Sequence, residues 1–168
     1  MLTMAGDKLT VLLAKSDAGD ARELIERLKK AAKRQKVFAQ AFDPDAVVSP
    51  RHLELAHALA KKAFENGENR ARTVENETLA RAAATTRIEE AIPKIGAKNP
   101  KKFILITDAR GKKLQRLLHE IGASGRKPAF RPDKKRVCAI FGIDGKLLQN
   151  YKLEELAMEG VAMARAKP

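Results

Sequence analysis

Between Ser49 and Gly96 the chain carries three helix-start signals and two helix-stop signals, with no strand-like run among them. Ser49-Pro50 places a hydroxyl acceptor at an N-cap and a residue with pre-set φ at the first helical position. Gly67 stops that helix. Thr73 caps the next one, with Glu75 and Glu77 well placed in its first turn against the helix dipole. Thr86-Arg87-Ile88-Glu89 reads as a capping box and opens a third helix, which Pro93 bends or shortens and Gly96 closes. Leu53, Ala56, Ala60, Ala63 and Phe64 line one face of the first helix and Leu55 and Leu59 another, so it is expected to be buried on two sides. Ile88, Ala91, Ile92 and Ile95 form the apolar face of the third.

This run of helices is flanked by alternating elements. Lys8–Ala14 reads as a buried strand, and Asp20-Ala21-Arg22-Glu23 opens a helix whose Leu24, Ile25, Leu28 and Ala32 share a face. Val37–Phe42 is a second strand, ended by Asp43-Pro44. Lys102–Thr107 is a third. Asp108 to about Ile121 is a basic amphipathic helix with Leu114, Leu117, Leu118 and Ile121 inward. Arg126–Arg136 is a loop with two prolines and six basic residues. Val137–Phe141 reads as a fourth strand and Leu153–Ala164 as a closing helix. With 168 residues, 44% of them apolar but only 4% aromatic, the chain is expected to form one domain with a core of Leu, Ile, Val and Ala. The fold class expected is α+β, a small mixed β-sheet covered by helices.

Several function classes fall away at once. One cysteine, Cys138, leaves no internal disulfide and fits a reducing, cytoplasmic setting. No apolar run approaches the roughly 20 residues of a membrane helix, and the N-terminal MLTMAGDKLTVLLAK lacks the cleavage pattern of a leader, so it reads as a strand. His52 and His57 are five apart, about 140° around a helix, and do not share a face as a zinc pair would. His57 reads as a partly buried, hydrogen-bonded residue. Neither a G-x-x-x-x-G-K nor a G-x-G-x-x-G loop nor a G-x-S-x-G elbow is present. Glu89-Glu90 and Glu154-Glu155 are adjacent and diverge on a helix. No set of nucleophile, base and orienting group emerges. Cys138 reads as a small core residue in a strand, and an enzyme using it, with Lys134–Arg136 as neighbouring cations, is the weakest of the rival readings. The expectation is therefore no catalysis, no metal, no cofactor and no small-molecule substrate.

The charge points instead to a polyanion. The net charge is +13, and it is uneven: residues 1–97 hold 17 basic and 14 acidic residues, whereas 98–168 hold 17 and 7. Such a balance favours nucleic acid as the partner. A basic elbow stands out at the break between the second and third helices, where a helix start offers unpaired N–H groups. Arg87 lies in that first turn, Arg81 one turn before the break, and Arg70 and Arg72 ahead of the second helix. Converged, with Thr85 at the break, they form a phosphate site for a single-stranded RNA end; dispersed, they are ordinary surface charges. Both readings stand on periodicity alone.

The line FDPDAVVSPRHLELAHALAKKAFENGENRARTVENETLARAAATTRIEEAIPKIG resembles the small accessory subunit of the KEOPS tRNA-modification complex, the PRPK-binding protein family. Its marks are FDP near a strand end, HL opening a helix, a charged turn after A…AF, and RTVENETLARAAATTRIEEAI followed by a glycine. LEELAMEGVAMA resembles the family's closing helix, whereas residues 109–150 match poorly. The resemblance implies a non-catalytic subunit that binds the small kinase/ATPase of the complex and helps recruit tRNA by its 3′ CCA end, in support of threonylcarbamoyladenosine formation. With that role in view, the elbow residues Arg70, Arg72, Arg81, Thr85 and Arg87 are the candidate tRNA contacts of this chain. The family commonly has Gly-Thr-Arg-Gln-Ile where this chain has Ala84-Thr85-Thr86-Arg87-Ile88, so the arginine is displaced by one and a glycine is replaced. A stand-alone RNA- or ribosome-binding module is the alternative.

Plotted at 100° per residue, the closing helix turns Leu153, Leu156, Ala157, Val161, Met163 and Ala164 to one broad face, opposite Glu154, Glu155, Glu159 and Arg165. Met158 and Ala162 fall among the charges. Leu153, Leu156, Met158, Val161 and Ala162 are the candidate partner contacts. The loop Arg126–Arg136 is a further candidate RNA surface, with Phe130 either stacking on a base or pinning the loop.

Overall fold

A computed structural model describes residues 8–164. The first seven residues of the N-terminal stretch, and Arg165 on the polar side of the closing helix, lie outside the described residues. In chain order the elements are β1 (Thr10–Ser16), α1 (Ala21–Gln35), β2 (Ala39–Phe42), α2 (Pro50–Glu65), α3 (Val74–Ala82), α4 (Ile88–Ile95), β3 (Phe103–Thr107), α5 (Lys112–Glu120), β4 (Ala123–Arg126), α6 (Lys134–Phe141) and α7 (Leu153–Met163). They fall into two compact units, residues 8–41 with 97–129 and residues 42–96 with 130–164.

The first unit is a split βαβ arrangement with strand order β2-β3-β1-β4. The class is α+β, as expected, but the sheet is antiparallel rather than mixed. The crossover through α1 leaves a one-strand gap between β1 and β2, and β3 fills it, with Thr10 opposite Thr107 and Ala14 opposite Phe103. Both helices cover one face of the sheet. Leu24 and Leu28 of α1 and Leu117 of α5 are buried with Ala14, Phe103 and Leu105, while Leu114 and Leu118 pack at the edge. Asp20 caps α1 by accepting from the Glu23 N–H at 2.8 Å. Buried hydroxyls are matched: Ser16 donates to the Ile121 carbonyl at 2.6 Å and Thr107 to that of Phe38 at 2.7 Å.

One strand expectation is corrected here. Val137–Phe141 belongs to a helix: Asp133 caps α6 through the Arg136 N–H, and Gly142 at φ 64 ends it. A short apolar run is ambiguous between the two periods, and here the caps decide. The fourth strand is Ala123–Arg126 instead. It has no apolar alternation and is held by its pairing with β1.

In the second unit α2 is the central helix. Ser49 caps it through the His52 N–H, and Leu53, Ala56 and Ala60 are fully buried. His52 is enclosed with both ring nitrogens committed. Nε2 donates to the Ala82 carbonyl at 2.8 Å and Nδ1 accepts from the Val48 N–H at 3.3 Å. Its ring meets Phe141 edge-on at 5.6 Å. Burial pushes its pKa down to about 4. His57 is buried more fully than the partial burial expected, at 4% exposed. The Phe42-Asp43-Pro44 mark also has a structural reason. Asp43 caps a short 3-10 turn, Pro44–Ala46, and pairs with Arg136 of α6, which also donates to the Lys94 carbonyl at 3.0 Å. In α4, Ala91 and Ile95 are buried but Ile92 is exposed. Gly96 follows because a Cβ there would come within 2.7 Å of the Ile92 carbonyl oxygen.

Candidate nucleic-acid interface

The elbow is made by the way α3 stops. The Thr85 N–H donates to the Ala80 carbonyl and the Ala84 N–H to that of Arg81, both at 3.0 Å. This is the double closure of a Schellman cap, with Ala84 in the left-handed position at φ 55. A side chain there costs about 1 kcal/mol that glycine avoids. Ala84→Gly is therefore expected to raise stability by about 0.5–1 kcal/mol, read as a rise of roughly 1–4 °C in melting temperature; no rise would mean that the turn is not held in this conformation.

Thr86 and Glu89 do not form the expected capping box. The helix begins one residue later, with Arg87 at the N-cap and no side-chain cap bond. Thr85 takes over locally, accepting from the Arg87 N–H at 3.2 Å and donating to Glu90 at 2.7 Å. The early left-handed residue turns the chain before Thr86 can reach the first turn of α4.

Glu77 is the organising residue, and sequence reasoning assigned it only to the helix dipole. Its side chain is 4% exposed. Oε2 accepts from the backbone N–H groups of Arg70 and Ala71 at 3.0 and 2.8 Å. Oε1 accepts from Nε and Nη2 of Arg81, both at 3.1 Å. One buried carboxylate thus ties the loop ahead of α3 to the last turn of the same helix. The signal was available, since Glu77 and Arg81 stand at i and i+4.

Around this knot lies a cavity of about 390 Å³ lined by Glu68, Arg70, Glu77, Arg81, Thr85, Thr86 and Ala164. Three of the five residues named as tRNA contacts, Arg70, Arg81 and Thr85, line it. Arg72 is exposed and lies outside the lining. Arg87 is 69% exposed, also outside the lining, and sits 3.9 Å from Glu90. Arg81 spends two of its five N–H donors on Glu77 and keeps three.

The last wall residue, Ala164, caps α7. Along α7 the buried stripe is Ala157, Val161 and Ala164, narrower than expected. Met163 falls outside it and is 58% exposed, correcting its placement on the inward face. Of the candidate partner contacts, Val161 is buried and Leu153 packs on Val48, Val137 and Ala157. Leu156 and Met158 are half-buried, and Ala162 is exposed.

The model of the family described as Kinase binding protein CGI-121 matches residues 16–165. The chain belongs to this family. The match spans both units and bears out the resemblance to the KEOPS accessory subunit read from the middle of the chain. No individually curated protein is similar enough to match. As a CGI-121 protein the chain is placed by its family description with proteins that bind a kinase. Cys138 is a free, half-buried thiol within α6, correcting its placement as a core residue in a strand, and Arg136, one of its nearby cations, is paired with Asp43. Among the described residues no three His, Cys, Asp or Glu cluster as metal ligands, and no helix is long and apolar enough to cross a membrane.

Proposed function

We propose that this chain is a non-catalytic KEOPS subunit that docks on the small kinase/ATPase through the outer face of α7. On this reading it holds the 3′ CCA end of tRNA in the cavity beside the elbow, in support of threonylcarbamoyladenosine formation. The observation that carries the RNA part is the convergence of Arg70, Arg81 and Thr85 on one cavity. Its lining suits a nucleotide: guanidinium donors for phosphate, threonine hydroxyls, and Glu68 as an acceptor for the exocyclic amine of cytosine. The kinase part is supported by the family and by the apolar group that α7 leaves outward, Ala162 and Met163 with Met158 beside them.

Binding of a tRNA transcript and of the same transcript lacking CCA tests the reading. Truncation is expected to weaken binding, and Arg70→Ala to weaken the intact transcript about tenfold while leaving the truncated one unchanged, the size of a lost charge-assisted contact. Indifference to the CCA end would favour a stand-alone RNA-binding module. Ala162→Glu is expected to abolish co-elution with the kinase subunit without lowering the melting temperature; retained co-elution rules out this face of α7.

A further inference from the structure

The first unit carries a charge arrangement that its fold does not explain. The β1–β3 ladder ends at Ala14 opposite Phe103, and the next residue beyond that pair is Lys15 on β1 and Lys102 on the chain leading into β3. On its other side Lys15 is opposite Ser124, and Leu13 is opposite Arg126. Directly opposed residues share a face, and residues two apart on a strand do too. Lys15 and Arg126 therefore stand on one face of the sheet, a face that buries Ile104 and Ile106 further along, and Lys102 lies beside them at the end of β3. The opposite face is the one that buries Ala14 and Phe103 under α1 and α5.

These three residues and Lys101 line a depression of about 340 Å³ whose other walls are Leu13, Ala14, Ser124 and Gly125. The lining has four cations and no carboxylate. All four are exposed, and among the described residues none is in an ion pair; the Lys101 ammonium donates to the Ser16 carbonyl, at 3.4 Å.

We infer that this basic depression at the end of the sheet is a second RNA-binding surface, one that reads phosphodiester backbone and not bases; it rests on the reading that the chain holds tRNA. The chemistry narrows the ligand in two ways. The lining has no aromatic ring, so it offers no stacking platform for a base. Its cations come from the β3, β1 and β4 sides of the sheet, with strands about 4.8 Å apart, so they spread over roughly 10 Å. That span suits consecutive phosphates better than a single phosphoryl group. Contacts of this kind position a nucleic acid without reading its sequence.

The salt dependence of tRNA binding tests this. Lys15→Gln with Lys102→Gln is expected to flatten the slope of log K against log salt by about 1.5, at about 0.7–0.9 per lost phosphate contact. It is expected to weaken intact and CCA-less tRNA by the same factor, about tenfold near physiological salt. Arg126→Gln, on a different strand, is expected to produce about half the change in slope. Neither variant should lower the melting temperature, since each relieves like-charge repulsion. An unchanged slope in both variants overturns the inference. Failure here is separable from failure of the cavity reading: if truncating CCA has no effect but the slope still falls, the cavity reading alone is lost. Loss of kinase co-elution in the sheet variants, with the slope unchanged, would assign the face to a phosphorylated or acidic protein and likewise overturn the inference.

Discussion

Glu77→Ala is expected to cost about 3–5 kcal/mol, the range for removing one partner of a buried, hydrogen-bonded ion pair. Four donors lose their acceptor together: two backbone N–H groups at Arg70 and Ala71, and two from the guanidinium of Arg81. Arg81, with 15% of its side chain exposed, is left charged with little solvent to turn to. For a chain of this length the melting temperature should fall by roughly 10 °C or more. Glu77→Gln should fall between the two. Its amide keeps one acceptor, but its NH₂ must face either the loop N–H groups or the arginine, donor against donor. Urea unfolding of the three proteins measures the order. A loss below about 1 kcal/mol for Glu77→Ala would mean that the loop and α3 are not joined through this carboxylate.

Stability should also fall steeply with mild acid, through His52. Its folded pKa of about 4 lies below the ordinary value of 6.5 because the ring is buried. Between these values the unfolded chain binds a proton that the folded chain refuses, so stability rises with pH across the window. The contribution is complete above about pH 6.5 and is progressively lost down to about pH 4, for a total of about 3 kcal/mol. Between pH 7.5 and pH 5 the loss should be about 2 kcal/mol, seen as a drop in the urea midpoint. His52→Gln cannot take up a proton. It should be less stable at neutral pH, and its stability should change less over the same interval. A wild-type slope equal to that of the variant would show that the imidazole does not carry the effect.

These two residues show where sequence reasoning reached and where it stopped. Ser49-Pro50, Thr73 and Asp20 announced α2, α3 and α1 because a cap is a local device: a side chain bonds a backbone group within three residues. The apolar faces of α1 and α5 were legible for the same reason. Thr86 and Glu89 had the spacing of a cap and did not form one, because the left-handed residue at Ala84 set the direction of the chain first. Val137–Phe141 misled through its β-branched and aromatic ends, while Asp133 and Gly142 on either side held the better signal. β4 had no pattern of its own to read, since its pairing with β1 lies more than a hundred residues away in sequence. Of the cavity lining, charge and position pointed to Arg70, Arg81 and Thr85, but Glu77, which ties Arg70 to Arg81, looked like one more acid in a first turn. His52 was weighed only as a metal ligand. Its burial depends on Ala82 and Phe141, whose approach no local pattern encodes.

Ala164 ends α7 and also forms part of the cavity wall. On the proposed reading, a companion protein that shifts the tip of that helix would reshape the cavity in which a nucleotide sits. Thermodynamic reciprocity then requires that the nucleotide, seated first, alter the grip of the companion by the same factor. Cargo and carrier would thus sense one another across the width of a single alanine, with no need for a hinge.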